Sequence, residues 1–292
     1  MIPPPGRHGG DGAAVARALG LHPADVLDLS QSLNPCAPDV TAVAAGHLSS
    51  LRRYPDRSEA TRILAEHLEV EANRVLLTNG ASEAIAIVAA EIGGTVRTEP
   101  EFSLHPRTGA GPCWASNPCN PTGVLADPSA TAEVWDEAFF PLATGAWTRR
   151  DPAAVVIGSL TKVFACPGLR AGYVIADDID RFARHQAAWP VNSLALAVLP
   201  ALLELAELGR WQHEISALRA GLADLLARHC ITTSPSDAPW VLAHAADLRQ
   251  RLAPQGVVVR DCASFGMPAY ARVAVPDECG LDRLARALDA TT

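Results

Sequence analysis

The sequence lacks the features that mark several common protein classes. Its seven cysteines form no Cys-x-x-Cys pair and have no histidine at metal-ligand spacing, so we expect neither a metal site nor a disulfide scaffold. An odd, scattered set of this kind is typical of reduced thiols, which favours a cytoplasmic protein. The N-terminus has no apolar stretch of the type that forms a secretion signal.

Long hydrophobic runs and basic runs are also missing. The most apolar segment, residues 193–208, is too short to span a membrane and contains Pro200 and Glu204. The net charge is −8, and no cluster of basic residues interrupts this acidic balance. Nucleic acids and membrane surfaces are negatively charged, so neither is an expected partner. We expect a protein that acts on a small molecule.

The order of apolar patterns predicts an α/β fold. Short strand-like runs alternate with helical patterns, which favours a sheet covered by helices. The predicted strands are 75–78, 132–135, 154–157, 173–176, 257–259 and 271–275, and the predicted helices are 81–91, 178–188, 194–208, 211–228 and 246–252. We expect a large domain with a mostly parallel central sheet over residues 41–199 and a small α+β domain over residues 200–292. Residues 1–40 are expected to form an arm that packs on the small domain.

The segment around Lys162 carries the strongest chemical signal. An apolar run leads into Ser159-Leu-Thr-Lys162, and Arg170 follows eight residues later between Leu169 and Ala171. A lysine at the end of a buried strand is costly unless its amine is used, and a Schiff base with an aldehyde cofactor is the obvious use. Ser159, Thr161 and Arg170 would then donate hydrogen bonds to a phosphate. The alternative is an exposed loop that happens to carry a lysine.

A second segment, Thr78-Asn-Gly-Ala-Ser-Glu83, joins a predicted strand to a predicted helix. Free N–H groups at a helix N-terminus bind phosphate readily, so Gly80, Ala81 and Ser82 are candidate phosphate ligands. An ordinary capped helix would explain the same residues, because Ser82 and Glu83 are common near helix N-termini.

Two further segments contribute polar candidates. Ser116-Asn-Pro-Cys-Asn-Pro-Thr-Gly123 has two Asn-Pro pairs, which force an extended, turning backbone that could also be a plain loop. In Val134-Trp-Asp136 an aspartate ends an apolar run, so it would be partly buried and would need a cationic partner.

Taken in chain order (the turn at 78–83, the Asn-Pro segment, Asp136 and then Lys162), the four segments resemble the pyridoxal phosphate (PLP) site of the class I/II aminotransferase family, which has PLP-dependent transferase fold type I. The resemblance implies that Lys162 carries the cofactor, Asp136 pairs with its pyridinium nitrogen and Asn120 bonds its phenolic oxygen. Two positions depart from the family pattern. Phe139 replaces a tyrosine found in many members, and His105, in Glu99-Pro-Glu-Phe-Ser-Leu-His105, replaces a tyrosine in the element that carries the ring stacked on the cofactor. Because an imidazole can stack and can also donate protons, His105 is a third candidate catalytic residue.

Segments near both ends of the chain resemble particular groups within this family. His8-Gly-Gly, the run from Leu27 to Pro35 and the run from Val257 to Gly266 are similar to those of threonine-phosphate decarboxylases of cobalamin synthesis and of histidinol-phosphate aminotransferases. This similarity implies that the substrate is held by four residues, namely His8, Asn34, Arg260 and Arg272, with Arg272 on its carboxylate. It also implies a homodimer in which Tyr54 of each chain reaches the cofactor phosphate of the other.

We therefore expect decarboxylation of L-threonine O-3-phosphate, with transamination of the histidinol-phosphate type as the alternative. A PLP-binding protein that has lost turnover is the second alternative, because the chain is short for the family and should lack a peripheral strand or helix of the large domain.

Overall fold

A computed structural model describes residues 2–291. The helices are α1 (Gly12–Leu19), α2 (Val40–Ala45), α3 (Ser58–Leu68), α4 (Gly80–Ile92), α5 (Phe140–Thr144), α6 (Leu160–Val163), α7 (Asp180–Ala183), α8 (Ser193–Glu204), α9 (Leu208–Arg228), α10 (Leu248–Leu252) and α11 (Glu278–Asp289). The strands are β1 (Leu27–Leu29), β2 (Val75–Asn79), β3 (Thr95–Val96), β4 (Cys113–Ser116), β5 (Val134–Asp136), β6 (Val155–Gly158), β7 (Ala171–Ile175), β8 (Thr233–Ser234), β9 (Trp240–Ala243), β10 (Val257–Asp261) and β11 (Ala271–Ala274).

A six-stranded sheet in the order β2-β7-β6-β5-β4-β3 forms the centre of the larger part of the chain. Strands β3 to β6 pair in parallel, whereas β7 runs antiparallel to both of its neighbours. Parallel strands end at the same edge of a sheet, so the residues that follow β4, β5 and β6 meet there. The α/β prediction with a mostly parallel sheet is confirmed.

Both faces of this sheet are buried, as the nearly continuous apolar strands require. Along β2 the side chains alternate between two cores, because successive residues of a strand point to opposite faces. Leu76 packs on the side of α4 and α7, where Ile85 and Phe182 are buried. Leu77 packs on the side of α3, α8 and the start of α9.

A five-stranded sheet in the order β1-β10-β11-β9-β8 forms the second centre. Strand β1 comes from the first forty residues and pairs in parallel with β10, and Val15 and Val26 pack against Val258. Helix α9 joins the two cores, since its Trp211 lies in the first and its Leu226 in the second. The proposed domain limits at residues 40 and 199 stay a prediction.

The helix predicted over residues 178–188 is wrong in length. Helix α7 covers only Asp180–Ala183, and the N–H groups of His185 and Gln186 bond three residues back instead of four. The side chains of Arg184 and His185 both bond Glu91 of α4, which holds this tight turn against the neighbouring helix. The break between the two long helices lies a few residues earlier than predicted, because α8 ends at Glu204 and α9 begins at Leu208.

A loop rather than a helix connects β4 to β5. The guanidinium of Arg149 donates hydrogen bonds to the backbone oxygens of Asp127, Pro128 and Ala130 and lies 4.8 Å from the Trp135 ring centroid. Arg149 therefore ties this loop to the face of the sheet. Within residues 2–291, no helix is long and apolar enough to cross a membrane.

Candidate active site

A cavity of about 320 Å³ lies where the carboxyl ends of β4, β5 and β6 face strands β10 and β11. Eleven residues predicted from the sequence line it: His8, Ala81, Ser82, Asn120, Asp136, Ser159, Thr161, Lys162, Arg170, Arg260 and Arg272. Ligand sites in α/β folds are commonly found beyond the carboxyl ends of the strands. The cavity is therefore the candidate active site.

Lys162 projects into this cavity from α6, the short helix that follows β6. Its Nζ lies 5.8 Å from the ring centroid of Phe139. Burial, together with the positive charges of Arg272 and Arg170, lowers the pKa of Lys162 to about 8. The amine can therefore lose its proton near neutral pH, which a nucleophilic or proton-transferring lysine requires. Lys162 is also the only lysine in the sequence.

Asp136, the last residue of β5, presents its carboxylate to the same cavity. The backbone N–H of Ala138 donates to Oδ1 at 3.0 Å, and Nε2 of His105 lies 2.9 Å from Oδ2. Burial alone would lower the pKa of His105, but the hydrogen bonds and charges of Asp136 and Glu101 outweigh it and raise that pKa to about 9. His105 is therefore an imidazolium at neutral pH, and it supports Asp136 from behind.

Asn120 and Arg272 form one unit on the opposite wall. Arg272 Nη1 donates to Asn120 Oδ1 at 2.6 Å, and this contact is buried. The Arg272 guanidinium carbon lies 4.9 Å from the ring centroid of Trp240 and 5.9 Å from that of Phe265. These two rings hold the guanidinium in place by cation–π contact and leave it available to an anion in the cavity.

Arg260 lies opposite Arg272 in the antiparallel register of β10 and β11. It is only 2% exposed; its Nη2 donates to the carbonyl of Arg7 and, at 3.0 Å, to the hydroxyl of Ser264. Within residues 2–291, its Nε and Nη1 have no hydrogen-bond partner. A buried guanidinium with two unused donors on a cavity wall suits an anionic ligand.

His8 reaches the cavity from the N-terminal arm, with its ring centroid 6.2 Å from that of Phe102. Partial burial and the positive charges of Arg260 and Arg7 lower the pKa of His8. It therefore faces the cavity as a neutral imidazole, which can donate one hydrogen bond but adds no charge.

The start of α4 forms the far end of the cavity. Gly80 has φ = 74°, a conformation that favours glycine, and a Cβ added to it would lie 2.4 Å from Nη2 of Arg170. The same Nη2 donates to the Ser82 hydroxyl at 2.9 Å. Gly80 itself does not line the cavity, whereas Ala81 and Ser82 do. The free N–H groups of the helix start and the guanidinium together suit a phosphate.

Ser159 and Thr161 complete this end of the cavity, and both are buried. The Thr161 hydroxyl donates to the backbone oxygen of Ala171 at 3.1 Å and accepts from its N–H at 3.3 Å. Thr161 thus ties the lysine-bearing turn to β7 as well as lining the cavity.

Besides Gly80, three residues predicted for the site lie outside the cavity wall. Asn34 is buried outside the cavity wall, and its Nδ2 donates at 2.8 Å to the backbone oxygen of Val163. It anchors the lysine turn and does not face a substrate. Tyr54 is 78% exposed on the outer surface, with its ring centroid 4.6 Å from that of Trp189, and does not line the cavity of its own chain.

His105 is the third, and its expected stacking position is wrong. It lies behind Asp136 instead of in the cavity wall, where Phe102 stands. In the segment Phe102-Ser-Leu-His105, Phe102 supplies the ring in the cavity wall and His105 supplies the imidazolium behind the Asp136 carboxylate. The cavity wall also contains seven residues that were not predicted from the sequence as site residues: Ile85, Leu104, Ser116, Pro118, Ala138, Pro167 and Phe265.

Comparison with known proteins identifies the family. A sequence profile described as "Aminotransferase class I and II" matches residues 113–288, more than half of the chain. The chain belongs to the class I and II aminotransferase family. It is a PLP-dependent enzyme, as members of this family are.

Two relatives illustrate the range of the family. A threonine-phosphate decarboxylase of Salmonella typhimurium is 30% identical over 348 aligned positions, which cover 96% of this chain and 95% of that protein. A histidinol-phosphate aminotransferase of Thiobacillus denitrificans is 29% identical, covering 89% of this chain and 84% of that protein. The first alignment is longer than this chain of 292 residues, so the relative carries insertions that this chain lacks.

Solved structures show the same fold. The histidinol-phosphate aminotransferase of Sinorhizobium meliloti, solved in complex with pyridoxal-5'-phosphate, superposes with a TM-score of 0.82 at 15% identity, covering 100% of this chain and 95% of that one. The L-threonine-O-3-phosphate decarboxylase of Porphyromonas gingivalis gives a TM-score of 0.73 at 20% identity, covering 91% and 99%.

The cavity residues fit PLP chemically. A phosphate suits the helix start with Ser82 and Arg170, a carboxylate backed by an imidazolium suits a protonated ring nitrogen, and a buried lysine of lowered pKa suits the aldehyde carbon. Arg260 lines the same cavity and keeps two donor atoms without a partner among the described residues.

Proposed function

We propose that this enzyme removes the carboxyl group of L-threonine O-3-phosphate, giving 1-amino-2-propanol phosphate for the side chain of cobalamin. The observation that carries the proposal is the pair of buried arginines, Arg260 and Arg272, side by side on β10 and β11. The substrate carries two anions only a few atoms apart, a carboxylate and a phosphate. Two neighbouring guanidinium groups complement both.

The size of the cavity supports a small substrate. At about 320 Å³ it is near the lower end of the range for ligand pockets, and the cofactor must share it. Arg272 would hold the carboxylate, while Arg260 and the neutral His8 would hold the phosphate through their free donors. This assignment leaves Asn120 for the ring oxygen of the cofactor.

PLP, when bound, supplies an acceptor for the electrons of the bond that breaks beside the amino-bearing carbon. Asp136 would hold the ring nitrogen, with His105 behind it on the side away from the cavity. Ser82, Ser159 and Arg170 would bind the cofactor phosphate and Lys162 its aldehyde carbon, while Thr161, whose hydroxyl proton is used on Ala171, holds the lysine-bearing turn.

The Lys162 amine is free to move a proton once the substrate amine has replaced it. The carbon–carbon bond to the carboxyl group breaks and carbon dioxide leaves. The electron pair then returns to the carbon as a new C–H bond, with the proton delivered by the Lys162 ammonium. A pKa of about 8 suits this transfer, because both protonation states are available near neutral pH.

A homodimer is part of the proposal. Leu48, Leu51, Tyr54 and Trp189 are each more than half exposed, which is unusual for a group of large apolar side chains on a monomer. A second copy would cover these side chains, and the family resemblance implies that its Tyr54 then reaches the cofactor phosphate of the first chain. We also propose that the enzyme is cytoplasmic, on the strength of its seven unpaired cysteines.

The direct test is to incubate the PLP-loaded protein with L-threonine O-3-phosphate without a keto acid and to identify products by mass spectrometry. We expect 1-amino-2-propanol phosphate from the wild type and none from Lys162→Ala. Arg260→Gln should raise KM at least tenfold, since the phosphate would lose a charged partner, whereas the surface variant Arg251→Gln should behave as wild type. Bound cofactor without this product would contradict the proposal.

Transamination of the histidinol-phosphate type is the second candidate, because several of the curated relatives carry that name. The same preparation, given histidinol phosphate and 2-oxoglutarate, would then release glutamate. Bound cofactor with neither product would favour the remaining alternative, a PLP-binding protein without turnover. Borohydride reduction separates this case from simple loss of the site, since the only lysine would still gain the mass of the reduced cofactor.

A further inference from the structure

Three charged side chains form a line behind the cavity wall. Asp136 faces the cavity, His105 Nε2 lies 2.9 Å behind its Oδ2, and Oε2 of Glu101 lies 3.5 Å from the other ring nitrogen, Nδ1. The His105 side chain is completely buried, and the two carboxylates are 5% and 7% exposed. The imidazole is therefore enclosed by two acidic groups with no solvent between them.

Hydrogen bonds fix the Glu101 carboxylate in place. Its Oε1 accepts from the Ser116 N–H at 2.9 Å, and its Oε2 accepts from the Ser116 hydroxyl and from the Phe102 N–H at 3.2 Å. A carboxylate has room for three donors, whereas a carboxylic acid would present a donor of its own. Glu101 therefore presents its carboxylate to the far side of His105.

The Nδ1 atom of His105 needs the Glu101 carboxylate as its ionic partner. It is buried and has no hydrogen-bond partner within residues 2–291, so the Glu101 carboxylate at 3.5 Å is its ionic counterpart. The other charges nearby largely cancel, because Arg107 pairs with Glu99 at 2.6 Å while its Nη1 bonds the His105 carbonyl. A buried imidazolium is stable only with opposite charge beside it.

We propose that Glu101 is a positioning residue that keeps His105 doubly protonated, so that Asp136 faces the cofactor ring nitrogen with a cation at its back. This inference rests on the proposed role of Asp136 at that nitrogen. The imidazolium reduces the negative potential that Asp136 offers, and Glu101 thereby sets how strongly the ring nitrogen holds its proton. The ring nitrogen in turn governs how well the ring accepts electrons.

The same carboxylate also links this line to the substrate side. The Ser116 hydroxyl that donates to Glu101 accepts the Asn120 N–H at 2.8 Å, and Asn120 bonds Arg272. Glu101 could thus serve only as a tether for the segment before β4. The tests below separate this structural role from the electrostatic one.

The first test needs no variant. Nitrogen-15 NMR of histidine-labelled, PLP-loaded protein at pH 7.5 should show His105 with protons on both ring nitrogens, the signal being assigned by its loss in His105→Gln. Glu101→Gln keeps the size and most hydrogen bonds of the side chain but removes its charge, and one of these protons should then be absent at the same pH. A neutral His105 in the wild type, or an imidazolium that persists in Glu101→Gln, overturns the proposal.

The second test compares PLP with its 1-deaza analogue, which has carbon in place of the ring nitrogen. The quantity measured is the ratio of the two dissociation constants for the full-length apoprotein. In Glu101→Gln the preference for PLP should rise about tenfold, because loss of the imidazolium charge outweighs loss of the more distant Glu101 charge. His105→Gln, which keeps Glu101, should raise it at least as much, and the double variant should match Glu101→Gln.

Two controls make the outcome specific. Ser103→Ala, in the same loop, should leave the ratio unchanged. Asp136→Ala should remove most of the preference for PLP. Equal weakening of both ligands in Glu101→Gln would mean that Glu101 is only a tether, and the proposal would fail while the role of Asp136 stands. If Asp136→Ala leaves the ratio at its wild-type value, both the placement of Asp136 and the role of Glu101 are wrong.

Discussion

Glu137, the residue after Asp136, makes the stability of this enzyme depend on pH in a calculable way. Its side chain is completely buried, and the Arg149 N–H donates to both of its oxygens at 3.2 Å. Burial, aided by the charge of Asp136, outweighs the hydrogen bonds from Thr148 and Arg149 and raises the pKa of Glu137 to about 7 from an ordinary value of 4.5.

The sign of the effect follows from proton binding. Between pH 4.5 and 7 the folded chain keeps a proton on Glu137 that the unfolded chain has released, so the free energy of unfolding falls as the pH rises. Each pH unit between the two pKa values is worth about 1.4 kcal/mol, so the full loss is about 3 kcal/mol. This loss is complete above pH 7 and absent below pH 4.5.

Glu137→Gln keeps the shape of the side chain but cannot ionise. We expect its free energy of unfolding, relative to wild type, to increase by about 3 kcal/mol between pH 4.5 and pH 8. Urea unfolding followed by circular dichroism, with the same cofactor loading throughout, measures the difference at each pH. Glu66→Gln, whose carboxylate is 62% exposed, serves as the control and should show no such trend. A difference between Glu137→Gln and wild type that stays constant within 1 kcal/mol across this range would refute the reasoning.

Three further variants test packing around the site. Gly158→Ala would place a Cβ 2.0 Å from the Tyr173 ring. The forced movement of that buried ring should lower the free energy of unfolding by about 1–3 kcal/mol, measured as a lower Tm. An unchanged Tm would contradict this packing. Arg149→Met removes the hydrogen bonds to the loop 127–130, so limited proteolysis should cleave there first, and a wild-type cleavage pattern would mean that other contacts hold the loop. Arg249→Met removes the buried partner of the N-terminal arm, so hydrogen exchange in the arm should rise at least tenfold, with equal protection as the contrary result.

The sequence motifs were sufficient to predict which residues meet at the edge of the larger sheet. Lys162 and Asn120 follow β6 and β4, Asp136 ends β5, and strands of this kind end at one edge of a sheet. Arg260 and Arg272 each lie within a short apolar strand, and pairing of those strands brings the two side by side. The confirmed fold class and family depend on these local patterns.

The positions of His105 and Asn34 could not be predicted in this way. The path of the segment before β4 is set by contacts of Glu101 with Ser116, which lies 15 residues away. Asn34 bonds the oxygen of Val163, at a separation of 129 residues. Such contacts depend on how whole elements pack, and no local pattern encodes them. The solitary lysine, by contrast, was a sequence signal that motif reasoning left unused.

The pairing of β1 with β10 has a consequence for synthesis on the ribosome. Residues 75–175 hold all six strands of the larger sheet, so that sheet can assemble while the rest of the chain is still being made. Strand β1 emerges early but must wait for a partner that is translated about 230 residues later. The arm that carries His8 and the strands that carry both arginines therefore come together last. A nascent chain would form the part of the cavity around Lys162 before the part around Arg260 and Arg272, and a chain truncated before β10 would lack the second part.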